Sequence, residues 1–290
     1  MEKIIDLIKK DEKLAVGLMS GTSLDGIDVA LVKIKGCREK TDLKLIDFIT
    51  LEYDNETRNR IIKASSIDSS DVRDISLLNF DLGMKFADAV LKILEKNEIK
   101  IESLDFIASH GQTIYHIPTR ATFQIGEISV IAEVTKTLTI GDFRVRDVAA
   151  GGHGAPLVPY SEYLLYRSEN KNIVLQNIGG IGNATLLLKN CKLEDVIAFD
   201  TGPGNMIIDY VVEKLTYGEK KYDNLGEMAA RGKIDYNIVE ELLKDPYFEQ
   251  APPKTTGREK YGKEFADNLI DLMKSKKLTS YDMIATVTYF

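Results

Sequence analysis

The chain has 290 residues, 44% of them hydrophobic and 29% charged, with a net charge of −7, a soluble globular composition long enough for two ordinary domains. The acidic balance excludes a basic nucleic-acid footprint, and no apolar run approaches the ~20 residues of a membrane span. Cys37 and Cys191, the only cysteines, make neither a disulfide framework nor a zinc cluster and point to a reducing cytoplasm.

Residues 1–13 (MEKIIDLIKKDEK) carry apolar side chains at helical spacing but no signal-peptide core or cleavage site, which predicts a short extra helix. Residues 14–33 (LAVGLMSGTSLDGIDVALVK) read as strand, glycine-rich turn, strand, with alternation at Leu14, Val16 and Leu18 resumed at Ile27, Val29 and Leu31. Gly21 and Gly26 permit positive φ and leave backbone N–H groups uncovered, the makings of a concave anion site. Ser20, Thr22 and Ser23 add hydroxyl donors, and Asp25 is a carboxylate suited to a hydrated Mg²⁺. A plain glycine-turn hairpin fits the same spacing. No Gly-Lys-Ser/Thr follows and the next element is a strand, so the turn is not a Walker loop.

A third strand is predicted at residues 43–53, giving an antiparallel meander, and helices at 56–64 and 70–97. In the longer helix Ile75, Leu78, Leu82, Phe86, Val90 and Ile93 share one face, and Asp71 suits its amino-terminal dipole. Residues 104–109 form a short apolar strand that delivers His110, Gly111, Gln112 and Thr113 at its carboxyl end, where α/β sheets place ligands. Strand, helix and strand follow at 122–126, 128–135 and 137–143. Residues 141–156, with Arg144 and Arg146 set against Asp142 and Asp147 and then small residues before Pro156, read as a long functional loop; its arginines suit carboxylate or hydroxyl recognition, and a salt-bridged connection is the plainer alternative.

A helix is expected at 157–166, then a second strand, glycine-rich turn and strand at 173–188, with Gly179 and Gly180 in the turn. This echo of the first hairpin suggests two related halves. A strand at 196–199 ends in Asp200, just before a glycine turn and a helix at 206–215; that carboxylate is either a helix cap or a general base held at a cleft. Helices are predicted at 225–231, 236–243 and 265–274, with a polar loop at 252–259. The last ten residues read as a helix just begun, with Met283, Ile284, Val287 and Phe290 on a face that later chain would cover.

GLMSGTSLDGIDVALV, SHGQTIYH, DFRVRDVAAGGHGAPLVP, NIGGIGNATLL, FDTGPGN and PKTTGRE occur in that order. Together they closely resemble the 1,6-anhydro-N-acetylmuramic acid kinases of the sugar kinase, Hsp70 and actin superfamily. The resemblance implies an α/β, two-domain actin-like ATPase (ribonuclease H-like) fold around an ATP cleft. The expected division is an extension at 1–13, a first domain at 14–140 and a second at 141–290. It also implies ATP and Mg²⁺, a small-molecule sugar substrate, and a cytoplasmic enzyme of cell-wall recycling that binds neither nucleic acid nor membrane. By motif, Gly21, Thr22, Ser23, Leu24, Asp25, Gly26, Ile27 and Asp28 grip the ATP phosphates, with Asp25 also at the metal, and Gly179 and Gly180 form an opposing clamp. Asp200 deprotonates the attacking water, Arg146 holds the sugar, and His110 and Gln112 line the sugar side.

The family's pattern continues past residue 290 with a glycine-rich adenosine loop and a late acidic residue, so the second domain is expected to be incomplete. A homodimer, or a separate chain supplying that part, are the corresponding partners. The alternatives are an inactive or split-gene remnant of the family, and an actin-like ATPase without sugar chemistry.

Overall fold

The computed structural model describes residues 2–21, 24 and 26–290, with side chains from residue 4 onward. Thr22, Ser23 and Asp25 therefore lie outside the described residues. The chain divides into two compact units, Met1–Leu165 and Tyr166–Phe290. The division falls after the expected one at 140/141, because the stretch that follows residue 141 packs onto strands of the first unit.

The first unit begins with the predicted extra helix, α1 (Glu2–Lys9), followed by β1 (Glu12–Ser20), β2 (Gly26–Lys35) and β3 (Asp42–Glu52). These strands form the expected antiparallel meander. Helices α2 (Asn55–Ala64) and α3 (Val72–Lys96) come next, then β4 (Phe106–Ile117), β5 (Ala121–Ile125), α4 (Ile128–Thr135) and the short β6 (Thr139–Ile140). The sheet runs β3-β2-β1-β4-β5, with β6 pairing β4. β4 is parallel to β1 and β6 and antiparallel to β5, so the sheet is mixed.

α3 forms because Asp71 caps it, accepting from the N–H groups of Arg73 and Asp74, and because its apolar stripe has a sheet to cover. Leu78, Leu82, Phe86, Ala89, Val90 and Ile93 are buried against Val16 and Leu18 of β1 and Val29 and Leu31 of β2. α4 approaches α3 closely at Gly83, where a Cβ would lie 2.9 Å from the Glu127 carbonyl oxygen. Asn79 fixes that corner. Its Oδ1 accepts from Gly126 N–H at 2.7 Å and its Nδ2 donates to the Glu127 carboxylate at 3.0 Å.

Two expectations are corrected in this unit. SHGQTIYH does not leave the end of a strand: β4 runs on through it to Ile117, because β5 pairs with Gln112 to Ile117 where β1 stops. The loop expected after residue 141 contains a helical segment, α5 (Phe143–Ala149), which packs on β5. α6 (Val158–Tyr166) follows.

In the second unit β7 (Ile173–Ile178), β8 (Ile181–Leu187) and β9 (Ile197–Pro203) form an antiparallel three-stranded sheet, which includes the predicted hairpin. β9 extends past the predicted end, so Asp200 lies inside a strand. α7 (Asn205–Leu215), α8 (Tyr236–Leu242), α9 (Pro246–Glu249), α10 (Arg258–Tyr261), α11 (Lys263–Ser275) and α12 (Ser280–Tyr289) build the rest. The helix predicted at 225–231 is two separate 3-10 turns, broken at Leu225 and Gly226, whose φ values are 54° and 68°.

α12 is also corrected. Its apolar face is covered within the unit: Met283, Ile284 and Val287 are buried with Ile207 and Val211 of α7, Ile238 of α8 and Leu269 and Met273 of α11. Phe290 packs edge-on against Phe248, with ring centroids 5.9 Å apart. The helix is anchored by a reciprocal Thr279 and Asp282 cap and by Asp282 accepting from Lys233 N–H at 2.7 Å.

Two substitutions test the first core. Phe86→Ala removes a fully buried ring and is expected to lower unfolding free energy by ~3–5 kcal/mol. Gly126→Ala should also destabilise, because φ is 114° and the new Cβ would lie 2.1 Å from the Phe86 ring. Urea denaturation checks both, and a neutral Gly126→Ala would show that the α3 corner is not constrained as described.

Candidate active site

The first unit contributes the end of β1 and the turn after it. Ser20 is buried and its Oγ lies 2.6 Å from Gln112 Oε1, 2.9 Å from the Gly26 carbonyl and 2.8 Å from the Tyr53 hydroxyl. Its one proton serves either Gln112 or Gly26, so the Tyr53 hydroxyl is the natural donor to Ser20. Gln112 is fully buried and its Nε2 donates to the carbonyls of Gly21 and Thr113, both at 3.1 Å. Gln112 thus ties β4 to the glycine turn from inside.

Gly26 is required by packing: a Cβ there would lie 2.3 Å from the Leu51 carbonyl oxygen on β3. Ile27 points into the core, 2% exposed, and the Asp28 carboxylate accepts from the Thr50 hydroxyl at 2.6 Å. Leu24 has φ of 58° and its N–H donates to the Gly21 carbonyl at 3.4 Å. The described part of the turn is therefore a tight backbone loop held by Ser20, Gly26 and Gln112.

His110 is half-buried on β4 and meets Arg144, not Arg146. Its Nδ1 is 2.8 Å from the Gly111 carbonyl, which can only accept, so the ring proton sits on Nδ1 and Nε2 accepts from Arg144 Nε at 2.6 Å. Burial, reinforced by the Arg144 charge, holds the His110 pKa below the usual imidazole value. Arg144 also donates to the Gly154 carbonyl at 2.7 Å, while the Asp147 carboxylate accepts from Gly154 N–H at 2.7 Å. The segment DFRVRDVAAGGHG is thereby folded onto β4 in one defined shape. Arg146 lies on the same helix, exposed.

In the second unit the two glycine motifs touch. The carbonyls of Gly179 and Gly180 accept from the N–H groups of Asn205 at 2.8 Å and Gly204 at 3.0 Å, at the start of α7. A Cβ on Gly204 would lie 2.4 Å from the Gly179 carbonyl oxygen, so only glycine fits.

Asp200 sits beside this contact and is held by residues about fifty positions away. Its N–H donates to the Lys254 carbonyl at 3.0 Å, and its own carbonyl accepts from the Tyr247 hydroxyl at 2.7 Å. Its Oδ2 accepts from Thr256 N–H at 3.0 Å. Among the described residues Oδ1 accepts no hydrogen bond. One carboxylate oxygen is thus fixed and the other is open, on a half-exposed side chain. Burial pushes the Tyr247 hydroxyl pKa up, with the Asp200 charge adding to it, so it stays a donor. Lys254 braces Tyr247 from above: its Nζ is 4.6 Å from the ring centroid and donates to the Tyr247 carbonyl at 2.9 Å. The helix-cap reading of Asp200 does not hold, since α7 is capped at Gly204 and the Asp200 carboxylate turns to Thr256.

Sequence reasoning set PKTTGRE apart as a polar loop without seeing that it folds over Asp200. It also passed over Asp209, a partly buried carboxylate on α7 whose pKa is raised by burial; its one signal is a lone acid among Ile207, Ile208, Val211 and Val212.

No helix among the described residues is long and apolar enough to cross a membrane. The family described as "Anhydro-N-acetylmuramic acid kinase" matches residues 13–290. Proteins of that name are similar to this chain throughout. The one from Caldanaerobacter subterraneus subsp. tengcongensis is 52% identical, over 99% of this chain and 75% of its own length. That from Clostridioides difficile is 52% identical over 95% of this chain and 73% of its own, and that from Bacillus cereus (strain Q1) 48% over 94% and 72%. Among solved structures, the likeness to a "Reductive activator for corrinoid,iron-sulfur protein" has a TM-score of 0.34 at 11% identity, over 67% of this chain and 31% of that one, too slight to bear on the fold. With a family match over nearly its whole length and relatives half identical to it, the chain belongs to the anhydro-N-acetylmuramic acid kinase family.

Proposed function

We infer that the chain is an ATP-dependent kinase that opens 1,6-anhydro-N-acetylmuramic acid with water and phosphorylates O6, in peptidoglycan recycling. Family membership carries the reaction class. The observation that carries the mechanism is the Asp200 carboxylate, with Oδ2 held by Thr256 N–H and Oδ1 open.

In the proposed reaction Asp200 Oδ1 accepts a proton from water as the water oxygen bonds to the anomeric carbon. The bond from that carbon to O6 breaks, and O6 takes the γ-phosphoryl group of ATP, releasing ADP. A base must be within hydrogen-bond reach and fixed in orientation, and a backbone N–H on its second oxygen supplies the orientation. Phosphoryl transfer itself is mainly positioning and charge neutralisation. The turn from Gly21 to Asp28 and the turn at Gly179 and Gly180 are proposed as the phosphate grips. Asp25 is proposed as the carboxylate contact of the Mg²⁺ that accompanies ATP, since that ion takes one or two carboxylates along with phosphate oxygens and water.

Arg146, exposed on α5, is proposed to hold the sugar. His110 and Gln112 act as positioning residues, the first through Arg144 and the second through the Ser20 network. A role without sugar chemistry is not favoured, because the family match includes the DFRVRD segment.

Asp200→Asn keeps shape but cannot take the proton, so kcat for sugar phosphate formation should fall roughly 10²–10⁴-fold with KM little changed. Turnover within a few-fold of the parent would assign the proton to another group. Arg146→Ala should instead raise KM for the sugar roughly ten- to hundredfold, the loss of a charged hydrogen bond, and an unchanged KM would remove it from the sugar site.

The depressed His110 pKa makes a further test. Below the ordinary histidine value the unfolded chain binds this proton more readily than the folded one, so stability should decline as pH falls through that range. His110→Gln keeps an acceptor for Arg144 and should flatten that decline in thermal melts between pH 7 and pH 5. An unaltered slope would place the effect elsewhere.

A further inference from the structure

Asp54 and Thr57, at the start of α2, show an aspartate and a threonine paired completely. The Thr57 N–H donates to Asp54 Oδ1 at 2.7 Å and the Thr57 hydroxyl donates to Oδ2 at 3.0 Å. Both carboxylate oxygens are taken. A hydrogen bond from Lys85, with the two from Thr57, holds the Asp54 carboxyl far below the usual carboxylate range. An acid held in that way caps a helix and is a poor proton acceptor.

Asp200 and Thr256 make only half of the same pair. The Thr256 N–H donates to Asp200 Oδ2 at 3.0 Å, but the hydroxyl does not follow. Thr256 Oγ1 is enclosed and has no hydrogen-bond partner among the described residues. A buried hydroxyl without a partner is costly, and native proteins hold few of them. Donating to Asp200 Oδ1, as Thr57 donates to Asp54, would relieve that cost. It would also occupy the open oxygen and weaken it as a base.

We propose that Thr256 is a second catalytic residue, whose hydroxyl holds the water that gives its proton to Asp200 Oδ1. This role presupposes that Asp200 is the base. The water then has two fixed partners. One hydrogen points at Asp200 Oδ1 and is transferred there, the other is donated to a lone pair of Thr256 Oγ1, and an oxygen lone pair faces the anomeric carbon. As the new bond to that carbon forms, its bond to O6 breaks, and O6 takes the γ-phosphoryl group. The hydroxyl reaches the water by one step of about 120° between staggered χ1 wells. The backbone need not move, because the Thr256 N–H stays on Oδ2 and Lys254, two positions earlier, is tied to Asp200 N–H and to the Tyr247 carbonyl. A base with one contact leaves the water free to turn about it, and a second partner removes that freedom.

Thr256→Val keeps the branched shape and the backbone N–H and removes only the hydroxyl. Because that hydroxyl is unpaired at rest, the variant should melt no lower than the parent, and the Asp200 carboxyl pKa, followed by carbon NMR, should stay where it is. Turnover should nevertheless fall roughly tenfold, the worth of one neutral hydrogen bond, with KM for the sugar little changed. Thr256→Ser should recover most of that loss. A lower melting temperature with an upward shift of the Asp200 pKa would reveal a completed cap of the Asp54 kind, and overturns the proposal. So does Thr256→Val turning over within about twofold of the parent while Asp200→Asn collapses, an outcome that leaves the base in place. Normal turnover in Asp200→Asn would instead remove the base, and the role of Thr256 with it.

Discussion

Both glycine hairpins depend on backbone meeting backbone with no side chain between. At Gly204 the space for a Cβ is taken by the Gly179 carbonyl oxygen, and at Gly26 by that of Leu51. The first contact lets hairpin carbonyls accept from the opening N–H groups of α7, and so joins the β7–β8 turn, the end of β9 and the helix into one rigid corner. The second seats β2 on β3 immediately after the first turn. Any larger residue would have to push β2 from β3 at Gly26, or the start of α7 from the β7–β8 turn at Gly204, moving the groups that the turns present.

Around these corners the polar groups are arranged to fix shape. Gln112 has no exposed surface, yet both ends of its amide are matched, one to Ser20 and the other to carbonyls of Gly21 and Thr113. A buried amide left half-satisfied would be costly, so this network fixes the turn in one geometry. Asp200 differs: among the described residues only one of its carboxylate oxygens accepts a hydrogen bond. Tyr247, Lys254 and Thr256 fix its backbone and orientation and leave Oδ1 without a hydrogen bond among the described residues.

The pair His110 and Arg144 belongs between these cases. A neutral imidazole, its proton held on Nδ1 by a carbonyl, orients a guanidinium on the helix that also carries the exposed Arg146. Two arginines two positions apart on α5 therefore do different things: one is tied into β4 and the Gly154 loop, and the other is left to solvent.

Several features were determined by sequence alone. The period of Leu78, Leu82, Phe86, Val90 and Ile93 can only be a buried helix face, and alternation on either side of a glycine turn twice marked a hairpin. Six motifs in order carry the resemblance to the family in the sequence itself. Tertiary structure decided what local period cannot encode. Whether SHGQTIYH ends a strand or continues it depended on β5 arriving to pair with it, and whether α12 is covered depended on α7, α8 and α11 reaching it. That Thr256 would hold Asp200, and Arg144 rather than Arg146 meet His110, follows from chain returns over 56 and 34 positions. Hydrophobic spacing reports only which way a side chain faces on its own element. The partner it finds is set by how separate elements pack, and that is where the geometry of the candidate site arises.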